Sequence, residues 1–154
     1  MATEIERKFL LRHDSWREGA QGQRYRQGYL STDKERVVRV RTVGDTGYLT
    51  IKGIARGISR LEFEYPIPLA DAESMLESLC LGPIIDKTRY RIPYGEHVFE
   101  VDEFHGENTG LIVAEVELGS EDEGFERPDW LGEEVTDDSR YANAALIEHP
   151  FSAW

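Results

Sequence analysis

Apolar and polar residues alternate with a period of two along most of this chain, and the polar positions are filled by charge pairs of a single sign. Side chains at i and i+2 of a strand share one face. The alternation therefore predicts strands over approximately 3–11, 23–31, 35–43, 47–54, 58–67, 84–93, 96–104 and 111–118. Turn-forming runs separate them, among them Gly44-Asp45-Thr46-Gly47, Tyr94-Gly95 and His105 to Gly110. Two stretches break the period. Residues 70–80 read as a helix with Ala72, Met75, Leu76 and Leu79 on one face, Asp71 as N-cap and Gly82-Pro83 as the stop. Residues 138–148 read as a second helix, capped by Thr136, Asp137 or Asp138 and ended by Pro150. The expected fold is mainly β (α+β). It is an eight-stranded antiparallel sheet closed into a barrel, which leaves no edge strand, with helices packed on the outside. The chain, 1–154, shows no repeat, linker or low-complexity tract and reads as a single domain.

The charged face is ordered by sign. Strand by strand it carries Glu4, Glu6 and Lys8; Arg39 and Arg41; Lys52; Glu62 and Glu64; Lys87 and Arg89; Glu100 and Asp102; and Glu115 and Glu117. Their neighbours, such as Ile5, Val40, Phe63 and Val116, are apolar and are expected to pack beneath helices. A sheet with one wet face also alternates, but same-sign neighbours on one face repel unless opposite charge lies close by. The two signs can neutralise each other across strands, or be held apart for a ligand that needs both.

Composition narrows the ligand. The chain has 18 basic and 30 acidic residues and a net charge of −12, which argues against nucleic acid or an anionic membrane as partner. Yet Lys34 to Arg60 carries seven bases against two acids, and Glu100 to Asp138 fifteen acids against one base. No apolar run reaches the roughly 18 residues of a membrane span. The charged N-terminus and the single Cys80, which rules out an internal disulfide, point to a cytoplasmic address. The four histidines lack ligand spacing. Cys80 reads as a small core residue, Trp16, Trp130 and Trp154 as packing groups, and Glu121-Asp122-Glu123 as a solvated loop.

If the charged face points into the barrel, buried charges are tolerable only when paired or ligated. Arg and Lys bind phosphate oxygens, and clustered carboxylates bind hard divalent ions. A lining that carries both suits a metal-complexed chain of phosphates.

The N-terminal Glu4-Ile5-Glu6-Arg7-Lys8, an E-x-E-x-K motif, resembles the signature of the CYTH family, the triphosphate tunnel metalloenzymes. The ordered set Arg39/Arg41, Lys52, Glu62/Glu64, Lys87/Arg89, Glu100/Asp102 and Glu115/Glu117 is similar to that family too, as is the tail Trp130 to Thr136 followed by Arg140-Tyr141-Ala142-Asn143. The resemblance implies a tunnel that hydrolyses inorganic triphosphate to pyrophosphate and phosphate with Mg²⁺ or Mn²⁺. It implies metal ligands among Glu4, Glu6, Asp102, Glu115 and Glu117, and phosphate contacts from Lys8, Arg39, Arg41, Lys52, Lys87 and Arg89. Glu62, Glu64 and Glu100 would support them, and Tyr29 would accept a proton, with Lys52 or Lys8 as the cation beside it. Other expectations on the same fold are a nucleoside or thiamine triphosphatase, or an adenylate cyclase. A polyphosphate-binding module without catalysis is a further alternative. No added nucleoside-recognition segment is apparent, which favours the small inorganic substrate. The chain is expected to act as a monomer or homodimer.

Overall fold

The computed structural model describes residues 3–154. Eight of its strands fall where the alternation placed them: β1 (Thr3–Leu11), β2 (Gly22–Asp33), β3 (Arg36–Val43), β4 (Thr46–Lys52), β5 (Ser59–Ile67), β6 (Leu81–Tyr94), β7 (His97–Phe104) and β8 (Ile112–Glu117). The order β5-β4-β3-β2-β6-β7-β8-β1 is antiparallel throughout, and β5 pairs back onto β1 through Thr3↔Leu61, Glu4↔Arg60 and Ile5↔Ser59, closing the barrel. A ninth strand, β9 (Leu131–Glu134), pairs with the far end of β1, Phe9 to Leu11. Only four residues long, it has too few positions to display a period of two, so the sequence pattern does not reveal it.

The outer face is covered unevenly. The helix α1 (Leu69–Ser78) lies over β2, β3 and β4 and buries Val40 against Ala72 and Leu76. It sits close because glycine lets it: a Cβ on Gly47 would stand 2.7 Å from that of Ala72, and one on Gly28 2.7 Å from Cys80 Sγ. Pro68 precedes the helix, so Asp71 lies within the first turn rather than at the N-cap. Leu79 falls past the last turn and is exposed, not on the buried face. A second cluster covers β1, β7 and β8 with Trp16, Trp130 and Leu131, over Phe9, Phe99 and Val116. Phe63 departs from expectation. It is 40% exposed, beside Ile51, Leu61 and Tyr65, because α1 covers β4 and β5 only as far as Leu49 and Ile67.

The C-terminal region is not one helix. A 3-10 turn at Ser139–Tyr141, an extended Ala142 and a single helical turn, α2 (Asn143–Leu146), replace it. Asp138 is the cap, its carboxylate accepting a hydrogen bond from the Arg140 backbone N–H, but the extended Ala142 ends the turn it starts. Leu146, Ile147 and Tyr141 pack with Phe104, Leu111 and Val113, while Asn143, Ala144 and Ala145 line the barrel's interior. The segment thus reaches further in than an outer cover would. No helix among the described residues is long and apolar enough to cross a membrane.

Candidate active site in the barrel interior

The barrel encloses a cavity of about 730 Å³, and every candidate residue except Asp102 lines it. Strand parity delivers them as the alternation requires. Tyr29 faces in with Tyr25 and Gln27; the pairing of β2 with β3 shifts only between Tyr29 and Ser31, and the shift against β6, between Gln27 and Tyr29, is by an even number of residues and keeps the parity. Asp102 is also turned inward, but is sealed behind its partners at 1% exposure.

Register sorts the charges into walls. On β7, β8 and β1, Glu100 stands opposite Glu115, and Glu6 opposite Glu117. Like charges directly opposed destabilise a sheet, and two carboxyls of this wall are raised by burial and by acidic neighbours around them. Glu6 is held well above the usual carboxylate range, first by burial, then by Glu115 and Glu4. Glu117 is raised by burial and by Glu4 and Glu100. Burial also pushes Glu115 upward, but Lys8, Arg89 and Lys87 outweigh it and hold it far below normal. Among the described residues, no three acidic, histidine or cysteine side chains already converge as a ligand cage. Two of the acids are engaged elsewhere. Glu4 accepts from Lys52 Nζ at 2.8 and 3.2 Å. Asp102 accepts from both Arg89 (2.7 and 2.9 Å) and Lys87 (2.8 Å).

The facing wall is basic. Arg39 and Arg41 share Glu64 Oε2 at 3.4 and 3.3 Å, and Thr50 Oγ donates to the same oxygen at 2.9 Å. One carboxylate thus serves two guanidinium groups, and Arg39 Nε and Arg41 Nε are buried without a partner among the described residues. Tyr25 stands between Arg41 and Arg89, with the guanidinium carbons 5.1 and 5.0 Å from its ring centre. Burial and the neighbouring Arg39 bring Arg41 down to about 10. Lys87 is brought down to about 8, by burial against the pull of Asp102 and with help from Arg89. Lys8 goes the other way: burial is outweighed by Glu115, Glu6 and Asp102.

Tyr29 is pushed above its ordinary value by burial, opposed by Arg39, Gln27, Lys8 and Arg41. Lys8 is among the cations beside it, as expected, but Arg39 is the strongest. Gln27 and Asn143 were not legible as site residues. Gln27 Nε2 donates to Tyr29 Oη and to Asn143 Oδ1, both at 3.1 Å, and Lys87 Nζ donates to the same Asn143 oxygen at 3.0 Å. Gln27 shares the face of Tyr25 and Tyr29, and that parity was the one signal it gave. Asn143 ended the tail motif Arg140-Tyr141-Ala142-Asn143, but nothing in the strand pattern placed it in the barrel, because its position depends on the fold of the C-terminal segment.

The chain as a whole is similar to known proteins. The CYTH domain profile matches residues 2–147. An inorganic triphosphatase of Acetivibrio thermocellus is 50% identical over 98% of this chain and 97% of its own length. One of Nitrosomonas europaea is 41% identical over 94% and 96%. A crystal structure of an inorganic triphosphatase superposes with a TM-score of 0.65, at 37% identity over 93% of this chain and 96% of that one. A putative adenylate cyclase of Bacillus halodurans shares the fold at 19% identity, with a TM-score of 0.60 over 79% and 84%.

Proposed function

Since this chain belongs to the CYTH family, we propose that it hydrolyses inorganic triphosphate to pyrophosphate and phosphate with the help of a divalent metal. The observation that carries the reading is the register. It sets Glu6 against Glu117 and Glu100 against Glu115 on one wall, while Arg39, Arg41, Lys87 and Arg89 face the same cavity from another. The names of the two relatives, 50% and 41% identical, support the substrate.

The residues fit a hard divalent ion. The donors are all carboxylate oxygens, and the opposed, raised Glu6 and Glu117 have acidic neighbours that a cation would relieve. Glu4, Glu6, Glu115 and Glu117 would hold Mg²⁺ or Mn²⁺. Asp102 is better placed to anchor Lys87 and Arg89, since both of its oxygens are taken. When bound, the ion supplies positive charge at the phosphate oxygens.

The chain's own residues supply the rest. Arg39, Arg41, Lys87 and Arg89, with Lys8 and Lys52, bind phosphate oxygens and stabilise the charge that grows on them as the terminal P–O bond breaks. Glu62, Glu64 and Glu100 hold these bases in place. Water attacks the terminal phosphorus, pyrophosphate leaves, and the water's proton goes to Tyr29 in its ionised, tyrosinate form, which grows as pH rises. Glu6, whose carboxyl is raised by burial and by Glu115 and Glu4, is a second candidate for that proton.

Phosphate release from inorganic triphosphate, ATP and thiamine triphosphate, each with Mg²⁺, Mn²⁺ or Ca²⁺, tests the reading. Faster release from inorganic triphosphate, abolished by a chelator, is expected. Preference for either other substrate, cyclic AMP formed from ATP, or binding without release would overturn it.

A further inference from the structure

The amide network behind Tyr29 and Lys87 has a fixed polarity. A lysine ammonium can only donate, so Asn143 must present Oδ1 to Lys87. Gln27 must then turn Nε2, not Oε1, toward that oxygen. The same Nε2 reaches Tyr29 Oη, so the tyrosine accepts there, and its own proton is committed to no protein acceptor among the described residues. Gln27 is fully buried, and this orientation leaves its Oε1 without a partner. An orphaned buried acceptor is costly and persists where something else dictates the orientation. Lys87 dictates it here. Two donor directions of its ammonium are held by Asp102 and Asn143, which leaves a third for the cavity that Lys87 lines.

We propose that Asn143 and Gln27 are positioning residues. Together they aim the Lys87 ammonium and the Tyr29 hydroxyl at the cavity, and the C-terminal segment completes the site by delivering Asn143 to Lys87. The inference rests on the triphosphatase reading for its catalytic consequence, and on geometry alone for the contact.

Turnover of inorganic triphosphate is measured for Asn143→Ala, Gln27→Met and the double variant, with melting temperature as the fold control. Each single variant should lower kcat on the order of tenfold, as expected for a lost hydrogen bond to a charged or reacting group, with KM nearly unchanged. The double variant should lose no more than the worse single one, because both act through one network. Unchanged kcat in either single variant, a rise in KM alone, or losses that multiply would overturn the proposal. A readout independent of activity is the Lys87 side-chain ammonium signal in a ¹H–¹⁵N spectrum. Held by two acceptors, its protons should exchange slowly in the wild type and at least several-fold faster in Asn143→Ala. Equal exchange would overturn the positioning, whereas a wild type inert toward triphosphate would overturn only the functional reading. Should Asn143→Ala not fold, Asn143→Ser, whose shorter hydroxyl withdraws from Lys87, is read on the same axes.

Discussion

Tyr29 and Glu6 compete for one proton, and their surroundings make the contest measurable. Tyr29→Phe keeps the ring and its packing but deletes the hydroxyl. If Tyr29 is the acceptor, kcat should fall by about 10²–10⁴, the usual worth of general acid–base catalysis, with KM nearly unchanged. The alkaline rise of kcat should flatten too, since Tyr29 lies above its ordinary value and its base form grows as pH rises. Near-normal turnover would hand the role to Glu6. Glu6→Gln or Glu4→Gln should remove most activity with the fold intact, because an amide is a poorer ligand for a hard cation. Excess chelator should do the same to the wild type, and full activity in chelator would leave the carboxylates a structural role only. Lys87 sets a further pH limit. Held at about 8, it loses its charge above that pH, so kcat/KM, which reports the free enzyme, should fall there; Lys87→Arg should move that fall to higher pH. The charged lining was readable in the sequence because parity alone decides which way a strand residue faces. Gln27 and Asn143 were not, because an uncharged amide on a strand or turn carries no sign by which to guess its partner.

The β1–β9 pairing and the segment that follows it decide whether the barrel's end is built. Glu134 on β9 accepts from Arg7 on β1 at 2.6 and 2.8 Å, and from Thr136 Oγ at 2.6 Å. These hydrogen bonds, Arg7 first, bring Glu134 down to about 2 from 4.5. A carboxylate depressed by folding stabilises the native state above its unfolded value, and that gain is lost as pH falls through its folded one. Melting temperature should therefore decline between pH 4.5 and 2, and Glu134→Gln should flatten that decline. The effect should stay below about 1 kcal/mol, since the pair is partly exposed and screened by salt. An unaltered acid limb would show that β9 is held by its backbone pairing and by Leu131 alone. Elements were legible in proportion to their length and regularity. Strands of six or more residues announced themselves by alternation, and α1 by its apolar face. The four-residue β9 escaped, and 138–148 looked like one helix because its apolar spacing suits a helix. The Asp138 cap is where the sequence puts it; the extended Ala142 that interrupts the helix after one turn is a local backbone choice that spacing does not encode.

At the scale of the whole molecule, the interior is a set of opposite charges that neutralise one another imperfectly. Lys52 occupies Glu4, Lys8 lies 3.7 Å from Glu115, and Asp102 serves Lys87 and Arg89. A cation arriving alone must draw carboxylates away from lysines and strand those lysines. A polyphosphate arriving alone must draw bases from carboxylates and strand the acids. Arriving together, each relieves the group the other strands, so their binding should be positively coupled, and the coupling is reciprocal. A ligand that binds only the folded state stabilises it by about 2.7 kcal/mol at a hundred times its dissociation constant. For a chain of this size, that raises the melting temperature by roughly 5–10 °C. An imido-bridged triphosphate that resists hydrolysis, melted with the protein in the presence of Mg²⁺, should give a shift of that size. It should exceed the sum of the shifts from Mg²⁺ alone and from the analogue alone. Simply additive shifts would mean that the acidic and basic walls act independently, and that the register joining them contributes geometry but no electrostatic coupling.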